Sequence, residues 1–265
     1  MVVVTRSLPA LRPSRRELFA MMTASAFGSS LIASPSGRLR AVAFDAFVLF
    51  DPRTIMARGE EVAGDHGRAL VMAASSRLFA STWYYTAAGR YLDFDSVAAD
   101  AFRDSAQALG IELSGADLAY LVDGYSNLPV WPDVPVALDI LRRNGVRLAM
   151  LSNLPERTLR RNLRAAGIER KFEFVLSTDS ARKFKPAPQA YELGPRAFGL
   201  SRSQIGFAAS AGWDAAGATW FGYPTVWVNR GGARSDEALP APRIICPDMK
   251  GILQLVDWGT VAGSR

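Results

Sequence analysis

From residue 146 to residue 229 the chain repeats one unit: a short apolar run, a polar turn, and a segment of helical spacing that closes on glycine. The apolar runs are residues 146–151, 172–177, 205–209 and 225–229. The segments between them, residues 156–166, 188–198 and 215–221, close on Gly167, Gly199 and Gly222. A strand covered on both faces reads as an unbroken apolar run, and glycine supplies the left-handed backbone that stops a helix. Strands joined by helices run parallel through right-handed crossovers. The expected fold class is therefore α/β, a Rossmann-like parallel sheet with helices on both faces.

Residues 39–44 make an earlier apolar run that ends in Asp45. There the rhythm is interrupted. Apolar residues fall at helical spacings around residues 69–88 and 96–109, and Ser114 stands as a helix N-cap with Asp117 in the capping-box position. A proline-rich hinge at residues 127–135 leads back to the repeating unit. This pattern predicts residues 39–53 plus 129–265 as the core and residues 54–128 as an inserted α-helical cap. Such a cap sits over the strand ends, where open α/β sheets place their ligands.

The formal net charge of +6 is concentrated at the start of the chain. Arg6, Arg12, Arg15, Arg16, Arg38 and Arg40 face only Glu17 there, which leaves residues 41–265 close to neutral. No Lys and Arg cluster interleaved with aromatics follows, which argues against nucleic acid as a partner. Basic residues ahead of a short apolar stretch of small residues (20–33) have the layout of a secretory signal, and Arg15-Arg16 resembles the twin-arginine type. Residues 1–38 are thus expected to be an export signal and linker. The mature chain would be periplasmic or secreted, meeting a membrane only during export. One histidine, His66, and one cysteine, Cys246, exclude a metal site of several histidines and an intramolecular disulfide. Cys246 ends an apolar run and is expected in a buried strand.

The strand ends carry the reactive groups: Asp45, Ser152-Asn153, Lys185-Pro186 and Trp213-Asp214. A carboxylate, a lysine, a hydroxyl and an amide brought together can run nucleophilic catalysis. The carboxylate attacks, the lysine holds it ionised, and the hydroxyl and amide bind oxygens or a leaving anion.

These motifs resemble those of the 2-haloacid dehalogenases in the haloacid dehalogenase superfamily. The likeness runs through Phe44-Asp45-Ala46-Phe47, Leu151-Ser152-Asn153, Phe184-Lys185-Pro186 with Tyr191, and Gly212-Trp213-Asp214. It also takes in Gly89-Arg90-Tyr91, Phe221–Thr225 and Trp227-Val228-Asn229-Arg230. The resemblance implies that Asp45 attacks C2 of a small anionic 2-halo carboxylate, forming an ester that water hydrolyses. It implies that Lys185 steadies the nucleophile, Ser152 places a hydroxyl near the carboxylates, Asn153 helps hold halide, and Asp214 orients lysine and water. Phe47, Tyr191 and Trp213 would form the aromatic substrate pocket. No metal or cofactor is implied, and a homodimer is. Phosphatases of the superfamily carry a second Asp two residues after the nucleophile; here that place holds Phe47, so phosphatase chemistry is disfavoured.

Three positions differ from the family pattern. The stretch after Asp45 is one residue short and lacks its Thr. The substrate-binding arginine of the family falls at Ser75, with Arg77 turned about 200° away on a helix. The Ser-x-Asn ahead of Trp213-Asp214 reads Ala209-Ser210-Ala211. Two readings stay open: a metal-independent hydrolase, and a catalytically degenerate protein of the same fold that binds a small anion or a partner. A register shift that brings the Arg77 guanidinium within reach of the Asp45 pocket favours the first, and an open site with no cation besides Lys185 favours the second.

Overall fold

Alternate residues of the first strand face opposite ways, and both faces are covered. In β1 (Ala41–Phe44) every residue is buried. Val42 and Phe44 join the apolar cluster on one side of the sheet, Ala41 and Ala43 the cluster on the other. The computed structural model describes residues 39–262, so the expected export signal at residues 1–38 lies outside the described residues. β1 pairs in parallel with both β2 (Arg147–Ser152) and β4 (Ile205–Ala209). With β3 (Phe174–Ser177), β5 (Thr225–Val228) and β6 (Ile244–Cys246) they form one six-stranded parallel sheet in the order β3-β2-β1-β4-β5-β6. The strand order reverses at β1, which opens a crevice at its carboxyl end. Asp45 is the next residue. Cys246, expected to be buried, is half-exposed because β6 is the sheet edge.

The shortened stretch after Asp45 forms a single helical turn, α1 (Ala46–Leu49), capped by the Asp45 carboxylate. Four helices follow: α2 (Thr54–Ala63), α3 (Gly67–Ala87), α4 (Phe94–Ala108) and α5 (Gly115–Asp123). Ser114 and Asp117 make the reciprocal capping box, with Asp117 N 3.1 Å from Ser114 Oγ and Ser114 N 2.8 Å from Asp117 Oδ2. Helices α2 and α3 touch backbone to backbone at Gly59 and Gly67. A Cβ on Gly67 would overlap the Gly59 carbonyl, so no larger residue fits there.

The chain leaves and re-enters the sheet region side by side. Asp51 N donates to Pro129 O at 2.8 Å and Trp131 N to Leu49 O at 2.9 Å, so the proline-rich hinge is pinned as a two-stranded bridge at Phe50 and Val130. The return path is held by Asn162 of α7 (Glu156–Ala165), which follows α6 (Val134–Arg143). Asn162 Nδ2 donates to Tyr125 O at 2.8 Å, and its Oδ1 accepts from Leu128 N at 3.1 Å, all in the buried interior.

The segment expected to be one helix at residues 188–198 is two, α8 (Pro188–Tyr191) and α9 (Leu193–Phe198). Pro195 lacks the N–H that would bond the Tyr191 carbonyl one turn back. The Tyr223 hydroxyl fills the gap, donating to Tyr191 O at 2.6 Å. Then come α10 (Gly212–Phe221), ended by left-handed Gly222, and α11 (Lys250–Ala262).

Asn162→Ala removes an amide that joins two buried backbone groups and is expected to destabilise the protein by about 2–4 kcal/mol. Urea unfolding measures it; a loss under about 1 kcal/mol would mean that Tyr125 O and Leu128 N find other partners.

Candidate active site

The crevice holds a line of charge. Lys185 Nζ donates to Asp45 Oδ1 at 2.8 Å and to Asp214 Oδ2 at 2.7 Å, and the lysine side chain is 1% exposed. Asp45 follows β1, Asp214 lies in the first turn of α10 after β4, and Lys185 comes from the loop after β3. The second oxygen of Asp45 is also engaged, accepting from Ser210 Oγ at 2.6 Å and Phe47 N at 3.1 Å. Asp214 Oδ1 accepts from the Tyr191 hydroxyl at 2.7 Å. Tyr191 is positioned by Tyr223 at its carbonyl and by Gly217, where a Cβ would come within 2.5 Å of the Tyr191 oxygen.

Burial dominates the electrostatics. It pushes the Asp214 carboxyl up to about 6; Lys185 pulls it down and Asp45 adds to the rise. For Lys185 burial acts downward, yet Asp214 and Asp45 outweigh it, and the ammonium is held above its ordinary range. The Tyr191 phenol is raised well above its usual value by burial and then by Asp214, so it remains a donor.

Asn153 positions the lysine: its Oδ1 accepts from the Lys185 backbone N at 3.0 Å and from Thr178 Oγ1 at 3.3 Å. Ser152 Oγ accepts from Leu154 N at 3.3 Å. Both residues line a cavity of about 420 Å³, together with Asp45, Asp214, Phe47 and Trp213. Trp213 meets Phe79 and Trp83 of α3, with ring centroids 5.5 and 5.6 Å away. The cavity is roofed largely by apolar residues, among them Ile55, Val71, Phe79, Phe94 and Tyr125.

Seven of the eight expected site residues thus converge on one place, with Lys185 just behind the cavity wall. Tyr191 is the correction. It was expected in the substrate pocket, but it is fully buried among Phe207, Phe221 and Tyr223, and its hydroxyl is directed at Asp214. The pocket role was implied by the family resemblance; here the ring packs behind the carboxylate instead.

Ser75 lines the cavity in the place expected for the arginine, while Arg77 pairs with Asp104 at 3.4 Å, away from it. Two cations that sequence reasoning missed do line the cavity, Arg53 and Arg230. Both stack on Trp131, at 4.7 and 4.6 Å from the ring centroid. Ser210 was also missed. Its hydroxyl sits one position along from the usual serine, a signal visible only if a one-residue slip is allowed.

A sequence profile of the haloacid dehalogenase-like hydrolases matches residues 38–222. Haloacetate dehalogenase H-2 of Moraxella sp. (strain B) is 34% identical over 220 residues, 83% of this chain and 98% of that protein. The crystal structure of an L-2-haloacid dehalogenase, 38% identical, superposes with a TM-score of 0.80 over 83% of this chain and 99% of that one. The L-2-haloacid dehalogenase from Xanthobacter autotrophicus, solved with chloropropionic acid covalently bound, superposes with a TM-score of 0.76 at 27% identity, covering 83% and 98%.

Because the folded pKa of Asp214 lies above its ordinary value, its contribution to stability is fully present below pH 3.8 and is lost as pH rises through about 6. Compared with an Asp214→Asn variant, the wild-type protein should lose on the order of 3 kcal/mol between those limits. Denaturant unfolding at pH 4 and pH 7 tests this, and parallel pH profiles for the two proteins would refute it.

Proposed function

The chain belongs to the haloacid dehalogenase-like hydrolases, and from that premise we propose that it is a metal-independent 2-haloacid dehalogenase working through an ester on Asp45. The observation that carries this reading is the line Asp45–Lys185–Asp214, with Asp45 and Asp214 both on the wall of one cavity. A carboxylate oxygen of Asp45 attacks C2 of a small 2-halo carboxylate. The new C–O bond forms as the C–X bond breaks, and halide leaves with the electron pair. Asn153 and Ser152 lie in the wall that would receive it. Lys185 stays charged and keeps the nucleophile aligned, an arrangement worth most in a site shielded from water.

Water then attacks the ester carbonyl and passes one proton to Asp214. As the C–O bond to the substrate breaks, its second proton goes to the leaving alkoxide, so the 2-hydroxy acid departs and the Asp45 carboxylate is restored. Asp214 suits this duty: a carboxyl lifted to about 6 is ionised at neutral pH yet basic enough to accept a proton. Tyr191 steadies its other oxygen. Phe47, where a phosphatase has its second aspartate, is instead part of the apolar wall. The degenerate-binder reading drew on the loss of the arginine at Ser75. The cavity nonetheless carries cations besides Lys185, in Arg53 and Arg230, which favours the enzyme.

Purified full-length protein should release halide from 2-chloropropionate, and Asp45→Asn should reduce release by about a thousandfold or more. In a single turnover in water labelled with oxygen-18, label should enter the Asp45 carboxylate. Halide release that survives Asp45→Asn would remove the ester mechanism. No release from the wild type would return the binding reading to the front.

We also propose that residues 1–38 direct twin-arginine export and that the chain forms a homodimer. The first rests on Arg15-Arg16 ahead of the apolar stretch, the second on the exposed Met72, Trp83 and Tyr84 of α3. With residues 1–38 fused to a folded reporter, export should be lost when Arg15 and Arg16 are both changed to Lys; export that persists would exclude that route.

A further inference from the structure

Arg230 lies two residues beyond the end of β5, on the same edge of the sheet as Asp45 and Asp214. It is fixed from three sides. Its Nη2 donates to Asp133 at 2.9 and 3.2 Å and to Val48 O at 3.2 Å, and its guanidinium stacks 4.6 Å from the Trp131 centroid. Trp131 in turn donates from Nε1 to Phe47 O at 3.3 Å, tying the pair to the turn that follows Asp45. Yet Arg230 Nε, though buried, donates to no acceptor among the described residues. That N–H is closed off from solvent and hence from the cavity, but Nη1 also makes no hydrogen bond among the described residues and is not buried in this way. Arg230 lines the cavity, and Nη1 is the donor it can offer there.

The other cavity cation is differently placed. The Arg53 side chain is 74% exposed and is clasped by Asp51 through Nε and Nη2. Only Arg230 combines a shielded position with an uncommitted donor. An incoming carboxylate needs such a cation, because Lys185 is already shared by two carboxylates and the inner site is negative overall. Guanidinium binding of a carboxylate is the strong, charge-assisted kind of hydrogen bond.

The space around it is larger than a two- or three-carbon acid requires. At about 420 Å³ the cavity falls in the range of sites that hold drug-sized ligands, roughly 300–1,000 Å³. Small residues stand where the family places an arginine and an asparagine, at Ser75 and Ala211, and Ile55, Val71, Phe79 and Phe94 line the remaining wall.

We propose that Arg230 anchors the substrate carboxylate in this chain, and that the acid it anchors carries an apolar tail of several carbons packed under α2–α4. The proposal rests on the reaction assigned to Asp45 for its 2-halo group, but the anchor itself is a matter of binding. The chain would thus keep the chemistry of its relatives at the floor of the cavity while receiving the carboxylate from the β5 side.

The test is binding to the full-length Asp45→Asn protein, followed by Trp fluorescence or calorimetry with hexanoate, hexanamide and acetate. Hexanoate should bind at least tenfold more tightly than either of the others. Adding Arg230→Gln should weaken hexanoate about tenfold to a hundredfold and leave hexanamide unchanged. Asp133→Asn removes the same ion pair and keeps the guanidinium, so it should alter hexanoate binding less than about threefold. If Arg230→Gln does not fold, Arg230→Lys serves: it retains the charge and should keep the preference for hexanoate over hexanamide.

Equal weakening by Arg230→Gln and Asp133→Asn, or equal loss of hexanoate and hexanamide, would overturn the proposal in favour of a packing role. Hexanoate binding no tighter than acetate would overturn the apolar tail. Arg230-dependent hexanoate binding in a protein that releases no halide from 2-bromohexanoate would uphold the anchor while removing the dehalogenase reading. Halide release with binding indifferent to Arg230 would do the reverse.

Discussion

A single ammonium group, buried between two carboxylates, sets the terms for the rest of this structure. Lys185 Nζ sits 2.8 Å from one oxygen of Asp45 and 2.7 Å from one oxygen of Asp214, with almost no access to water. Removing one partner from such a buried arrangement leaves an uncompensated charge and costs about 3–5 kcal/mol. One lysine also cannot neutralise two carboxylates, so the remaining charge has to be met by dipoles. Ser210, the Phe47 N–H and the Tyr191 hydroxyl meet it. Further residues hold this arrangement in turn: Tyr223 holds Tyr191, and Asn153 holds the Lys185 backbone. Residues far from any reacting atom are therefore committed to keeping three charged groups in line.

The sheet makes that commitment possible. The strand order reverses at β1, so the ends of β1 and β4 lie side by side and deliver Asp45 and Asp214 to one crevice. Lysine arrives from farther away, on the loop beyond β3, and reaches the crevice because Asn153 at the end of β2 grips that loop by its backbone. The helices from α2 to α5 supply no charge to this line. They contribute the apolar roof, and the bridge at Phe50 and Val130 with Asn162 fixes where the roof begins and ends.

Floor and walls of the cavity are held to different tolerances. At the floor, Lys185 bridges Asp45 and Asp214, and Ser210 reaches the second oxygen of Asp45. In the wall, Ser75 offers a short hydroxyl, and Arg53 and Arg230 are the cations that line the cavity. Chemistry constrains the floor to fractions of an ångström. Recognition of a carboxylate tolerates any cation that reaches it, so its source can migrate.

Much of this was legible in the chain. The alternation of apolar runs with glycine-terminated helices announced a parallel sheet, since a strand buried on both faces has no polar positions to spare. Asp45 stood at the end of such a run, and Lys185 and Asp214 in the stretches that follow two others, so their convergence followed from topology. Local chemistry was legible as well, as the Ser114–Asp117 capping box shows, because its partners are three residues apart. What the sequence determined by itself was therefore the periodic and the local: which segments are strands, where helices stop, and which reactive groups share the open edge of the sheet.

The tertiary structure alone decided the direction of side chains and the pairing of residues distant in the chain. Tyr191 sits behind Asp214 because its ring packs on Phe207, Phe221 and Tyr223, and Tyr223, 32 residues on, also takes up the carbonyl that Pro195 leaves free. Arg230 became a wall of the cavity because Asp133 and Val48, 97 and 182 residues away, fix its guanidinium. Linear spacing carries no record of such meetings. Burial selects them in three dimensions, where a polar group shut away from water must bond whatever group the fold brings within reach.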